Sequence, residues 1–238
     1  MLDSLLYVFP VVGGSNFEKV GDNDWKAICH DIYGTAFTIG PNVFMTAGHV
    51  LRAAAENEFV GLGEVIEGNL HTRKATNFEI IEAYDIGLIQ VPWGRCRGFP
   101  WTTFERPMLE AVHSTGYPYA IDRFNNSFGM RAFTGHVASM RDWPQLKPVP
   151  RIYELSYPCP RGLSGAPLWT VSSPVKVVGV ILGNNITEMD KTTVYQKVEA
   201  LHLGVALQTG ALTGIYSALL GKTIGEHLRG AQLLNEPA

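Results

Sequence analysis

The chain is short of cysteine, short of charge and without a long apolar run, and each shortage narrows its function. Three cysteines in 238 residues, Cys29, Cys96 and Cys159, cannot all pair within one chain. None stands in a Cys-x-x-Cys spacing, so neither a zinc knuckle nor a thioredoxin-like redox site is suggested. They read as buried or incidental thiols of a reducing compartment. Nineteen Lys and Arg against 22 Asp and Glu leave a formal net charge of −3. No overall basic field draws in nucleic acid or anionic lipid, and neither is expected as a partner. No apolar run is long enough to span a membrane. Met1-Leu2-Asp3-Ser4-Leu5-Leu6 has no basic n-region and is interrupted by Asp3, so no secretory signal is visible and the expectation is a cytoplasmic protein. His30, His71, His113, His136, His202 and His227 show no metal-ligand spacing, and no metal or cofactor is expected.

What is present is a 46% hydrophobic chain, enough for a sizeable core, at a length that all-β barrels often reach as one unit. Short apolar runs recur between turn formers. Examples are Gly34-Thr35-Ala36-Phe37-Thr38-Ile39, Asn42-Val43-Phe44-Met45-Thr46, Ile86-Gly87-Leu88-Ile89-Gln90-Val91 and Arg151-Ile152-Tyr153-Glu154-Leu155. Each is strand length and rich in β-branched or aromatic residues, which predicts many antiparallel strands closed into barrels or a sandwich. Ala53-Ala54-Ala55-Glu56 marks a helical turn or two after His49. Leu212, Ile215, Tyr216, Leu219 and Leu220 have helix-like spacing and predict a C-terminal helix over about 209–232. Three prolines in 141–150 predict a loop.

Three segments carry chemistry. Thr46-Ala47-Gly48-His49-Val50 places a histidine at a strand end, with small residues that let backbone pack close behind the imidazole. Tyr84-Asp85-Ile86-Gly87-Leu88 opens an apolar strand with a carboxylate; alone, Asp85 reads first as a turn residue capping the strand start. Pro160-Arg161-Gly162-Leu163-Ser164-Gly165-Ala166-Pro167 is either a Gly/Pro turn or a nucleophile loop whose glycines let two N–H groups converge. His49 and Asp85 lie 36 residues apart, and about twice that distance separates Asp85 from Ser164.

The order His, Asp, Ser and these contexts resemble the trypsin-like, chymotrypsin-fold serine peptidases. Gly116-Tyr117-Pro118, Gly179-Val180-Ile181-Leu182-Gly183-Asn184 and Leu203-Gly204-Val205-Ala206-Leu207 extend the resemblance, closest in texture to bacterial HtrA-like members without a PDZ domain. The resemblance implies an all-β fold of two antiparallel six-stranded barrels with a C-terminal α-helix. One domain over 1–238 is expected, with barrels at about 20–110 and 111–208. It implies a serine endopeptidase acting on a protein or peptide, with His49, Asp85 and Ser164 as catalytic triad and the N–H groups of Gly162 and Ser164 as oxyanion hole. Pro158 falls at the base of the primary specificity pocket and carries no carboxylate, so cleavage after Lys or Arg is not expected. Arg161, Leu182, Gly183 and Asn184 fall on the substrate side, although Asn184 and Asn185 read equally as turn residues.

Three positions depart from the family pattern. Leu163 stands where secreted members carry an Asp that pairs with a freed N-terminal amine, so Val11-Val12-Gly13-Gly14 reads as plain strand or turn. Leu182 replaces a Ser that supports the buried aspartate, so Asp85 needs another partner. Pro158 leaves the target undefined. The alternative reading is a latent or inactive protease-fold module, activated by a partner or self-assembly, or itself a partner-binding protein.

Overall fold

The computed structural model describes residues 7–19, 25–66, 69–94, 98–118, 121–122, 127–188 and 200–234. Cys96 and the segment Met1–Leu6 lie outside the described residues. The first half folds into one antiparallel sheet built from β1 (Val8–Lys19), β2 (Trp25–Gly40), β3 (Val43–Ala47), β4 (Phe59–Ile66), β5 (Asn69–Lys74), β6 (Asn77–Ile81) and β7 (Ile86–Gln90). Helix α1 (Gly48–Ala54) lies between β3 and β4. The strand order is β5-β4-β1-β2-β3-β7-β6, with β5 and β6 at the two edges. The two residues linking them tie the seam, the Ala75 N–H donating to Val60 O and the Thr76 N–H to Gln90 O, both within 2.9 Å.

This curled sheet is the first barrel of the expected two-barrel fold; it has seven strands where six were expected, and its first strand begins at Val8. The reason lies in Val11 and Val12, both fully buried: β1 pairs with β2 on one side and with β4 on the other. Val11-Val12-Gly13-Gly14 is therefore internal strand.

The second half closes fully. Strands β8 (Ala111–Gly116), β11 (Arg131–Asp142), β12 (Arg151–Leu155), β13 (Pro167–Thr170), β14 (Val177–Glu188) and β15 (Ala200–Gln208) form a barrel in the order β11-β12-β15-β14-β13-β8. Short pairs β9 (Ile121–Asp122) with β10 (Ser127–Phe128) and β16 (Tyr216–Ser217) with β17 (Lys222–Thr223) complete the set. Closure leaves the barrel itself no free edge.

The C-terminal helix is shorter than expected. Only α2 (Ile224–Gly230) is helical, opened by a capping box between Thr223 and Glu226. Before it the chain makes a 3-10 turn at Thr209–Ala211 and then the β16–β17 hairpin. Gly214 and Gly221, the latter at φ +64, disfavour continuous helix, and Leu212 and Ile215 reach the core from a turn instead.

One apolar cluster runs through both halves, with Phe37, Ile39, Met45, Ile86 and Leu88 of the first packed with Ile152, Val180 and Leu207 of the second, while Leu155 and Ile181 fill a further cluster of the second. Fully burying side chains of this size stabilises the fold by about 1.5–3 kcal/mol each. Aromatic pairs join the halves to the segment between them: Phe37 stacks on Trp101 at 5.9 Å, and Phe99 meets Trp169 at 4.9 Å. Among the described residues no helix is long and apolar enough to cross a membrane.

Candidate active site

Strand β3 ends at Ala47, and the chain turns directly into α1, so His49 occupies the first helical turn. The first N–H groups of a helix lack intrahelical partners, and the N-cap residue here, Ala47, makes no side-chain cap bond. Asp85 supplies what is missing. Its Oδ1 accepts the His49 backbone N–H at 2.7 Å, and its carbonyl accepts the Gly48 N–H at 2.7 Å. Its Oδ2 lies 2.7 Å from His49 Nδ1. An ionised carboxylate only accepts, so this contact places a proton on Nδ1 and leaves the Nε2 lone pair open. The His49 backbone is thus the partner of Asp85 that the absence of a serine at Leu182 left unassigned.

Local conformation aims the carboxylate. Asp85 follows a 3-10 turn (Glu82–Tyr84) and sits in the left-handed region at φ 52, ψ 44, which Asp tolerates better than most residues. A Cβ on Gly48 would lie 2.9 Å from Asp85 Oδ1, so only glycine leaves the carboxylate where it is.

Ser164 sits between two tight turns. The Leu163 N–H reaches Pro160 O at 3.0 Å with Gly162 at φ +94, and the Ala166 N–H reaches Leu163 O at 3.0 Å with Gly165 at φ +86. A positive φ at the third residue is the type II turn, which glycine serves without steric cost. The loop is then stapled on both sides. Gly165 N–H donates to Ile181 O at 2.7 Å, and Thr35 N–H donates to Ser164 O at 2.9 Å. Among the described residues no acceptor takes the N–H of Gly162 or of Ser164. The Ser164 hydroxyl donates to the Leu182 carbonyl at 3.1 Å rather than to His49.

A cleft of about 470 Å³ opens beside these groups, lined by His49, Asp85, Trp143, Leu146, Leu182 and Gly183, with Asn184 at one end. An Arg52–Glu82 ion pair stands on its rim. Arg141 covers the Trp143 ring, its guanidinium carbon 5.1 Å from the ring centroid, and pairs with Glu154.

The remaining sequence-expected residues divide. Leu182 and Gly183 line the cleft. Asn184 reaches it too, but its amide is committed: Oδ1 accepts Cys159 N–H at 2.6 Å and Nδ2 donates to Cys159 O at 2.7 Å. Asn185 donates to Glu154 at 2.9 Å. Pro158 is solvent-exposed between buried Tyr157 and Cys159 and does not line this cleft. Burial pushes the Cys159 thiol up to about 12, so it stays protonated and inert at neutral pH. Arg161 is 77% exposed, 3.6 Å from Asp31 and outside the cleft.

Thr35 escapes sequence reading. Its hydroxyl donates to Gly162 O at 2.8 Å and accepts the Tyr117 N–H at 2.9 Å. Nothing local in Gly34-Thr35-Ala36 signals this, since the partners are 82 and 127 residues away.

A curled sheet and a closed barrel, with His49 and Asp85 lining a cleft, match the chymotrypsin-type two-barrel class of serine peptidases. The family described as trypsin-like peptidase domain matches residues 34–180, and the chain belongs to it: it is a hydrolase of the serine endopeptidase class. No curated protein matches the sequence. Among solved structures, the active form of the Rv3671c protease from M. tuberculosis is 18% identical, covers 89% of this chain and 79% of its own, and has a TM-score of 0.60. The MamO protease domain from Magnetospirillum magneticum is 13% identical over 87% of this chain and 95% of its own, with a TM-score of 0.59. The HtrA-type protease AlgW with a decapeptide is 10% identical over 85% of this chain and 60% of its own, with a TM-score of 0.58. At these identities the likeness is one of fold.

Proposed function

We propose that the protein cuts a protein or peptide through a covalent intermediate on Ser164, with His49 as general base and acid and Asp85 as its orienting carboxylate. The observation that carries this reading is the Asp85 clamp on His49, which leaves Nε2 open. His49 Nε2 takes the Ser164 proton as Oγ bonds to the substrate carbonyl carbon. The negative charge gathers on the carbonyl oxygen, where the N–H groups of Gly162 and Ser164 are free to meet it. The C–N bond then breaks, the amine leaves with the proton from His49, and water hydrolyses the ester by the reverse sequence. The cleft at Leu182 and Gly183 holds the chain on the acyl side.

Neither Pro158 nor Cys159 offers a carboxylate to Lys or Arg, and Asn184 bridges the crevice between Cys159 and β14. These features support cleavage after a small residue. The latent reading has one observation on its side, the Ser164 hydroxyl turned to Leu182. A fluorophosphonate decides between them. Labelling of purified protein at Ser164, with loss of labelling and a fall of about 10⁶-fold in hydrolysis in Ser164→Ala, is the expected result. An unlabelled but folded wild type favours the latent module.

A further inference from the structure

We infer that Thr35, on β2, is a positioning residue that keeps the Gly162 and Ser164 N–H groups ready for the oxyanion; this rests on the serine peptidase reading above. Thr35 is fully buried. Four hydrogen bonds meet on it. Its N–H donates to Ser164 O at 2.9 Å, and its hydroxyl donates to Gly162 O at 2.8 Å. That hydroxyl accepts the Tyr117 N–H at 2.9 Å, and its carbonyl accepts the Thr46 hydroxyl at 2.6 Å. A hydroxyl has a single proton, and here Gly162 O receives it.

The two carbonyls held by Thr35 belong to the two residues whose N–H groups are free. Holding each carbonyl fixes the peptide plane that follows the residue and with it the position of its Cα, so the free N–H can swing only about φ of that residue. Gly162 needs such an anchor most, because glycine takes φ of either sign without steric penalty, and with its carbonyl loose the residue could turn and carry its N–H away. The approach is also cleared by glycine: a Cβ on Gly34 would lie 2.8 Å from Ser164 O, and one on Gly116 would lie 2.5 Å from Thr35 Oγ1. Nothing else in the first half holds Gly162 O among the described residues. The first sheet therefore contributes the pose of the nucleophile loop as well as His49 and Asp85.

The hydroxyl acts through donors that meet charge only in the transition state, so its removal lowers the chemical step and spares binding. Thr35→Val keeps the shape and deletes the hydroxyl. Its fluorophosphonate labelling rate and kcat are expected to fall about 100-fold, with KM within about threefold, the scale of a lost oxyanion donor. Thr35→Ser restores the hydroxyl and is expected within about fivefold of wild type in both. Labelling of Thr35→Val at the wild-type rate overturns the inference. So does Thr35→Ser falling as far as Thr35→Val, which makes the role one of packing. Where Thr35→Val does not fold, Thr35→Cys, with an S–H as a weak donor, is read by the same two rates. Wild type that resists labelling altogether removes the peptidase reading itself, a result separate from any of these.

Discussion

At the scale of single residues, glycines make the site possible by what they leave out. Gly48 is the clearest case. Asp85 Oδ1 and the Gly48 backbone are so close that an added methyl must push the carboxylate away from the His49 N–H and Nδ1. Gly48→Ala is expected to lower kcat about 100-fold, the usual effect of misplacing a catalytic group by an ångström. Its melting temperature should change far less than its rate, and steady-state kinetics beside a thermal melt check both. Gly165 makes a similar demand for folding, since its Cβ would fall 2.1 Å from Thr35 O and 2.2 Å from Thr46 Oγ1. The motif around Ser164 is thus constrained from below by β2 and β3, residues that no local pattern connects to it.

At the scale of elements, legibility followed the range of the forces. Strands announced themselves through local alternation and turn residues: Asn42 to Thr46 and Arg151 to Leu155 became β3 and β12. Helix-like spacing misled where it reflected burial alone. Leu212 and Ile215 are buried as the pattern required, yet Gly214 and Gly221 direct the chain into a turn and a hairpin. The motifs around His49, Asp85 and Ser164 were readable because each is local to a strand end. Thr35, the Asn184 amide and the exposed place of Pro158 were not, because pairing across the fold decides them. Strand β14 carries a test of this last kind. Asn184→Gly removes the two bonds to Cys159 and the side chain that reaches the cleft. The ratio of kcat/KM for a peptide cut after Leu to one cut after Ala is expected to rise at least about tenfold, the worth of a methylene or two in a pocket. An unchanged ratio in a peptide series separates Asn184 from selectivity.

At the scale of the whole molecule, the C-terminal turn is fastened to the first sheet through Glu79. Its carboxylate accepts from the Ser217 hydroxyl and from the N–H groups of Ala218 and Leu219, each N–H at 3.0 Å. Burial alone would raise its pKa, but these donors outweigh burial and hold it below the ordinary carboxylate value. The unfolded chain then binds a proton that the folded chain refuses, so stability is present above the ordinary Glu range and is lost as pH falls through the depressed value. Burial holds His227 below its ordinary value, with Lys222 adding to the effect, so stability also declines as pH falls below about 6.5. Urea midpoints from pH 8 to pH 3 are expected to show both declines. In Glu79→Gln the midpoint at pH 7 is lower and the acid step smaller. An acid step of the same size would falsify the clasp.

The staple between Thr35 and Gly162 joins positions 127 apart in the chain, and the Glu79 clasp joins positions 139 apart. Contacts so distant in sequence form late, because long loops must close before they are rewarded. During synthesis the first sheet emerges with His49 and Asp85 in place but with no serine beside them. On the proposed mechanism the site is complete only when the second barrel has closed and its loop has reached back to Thr35, so a chain still being made on the ribosome is expected to cut nothing until folding is nearly finished.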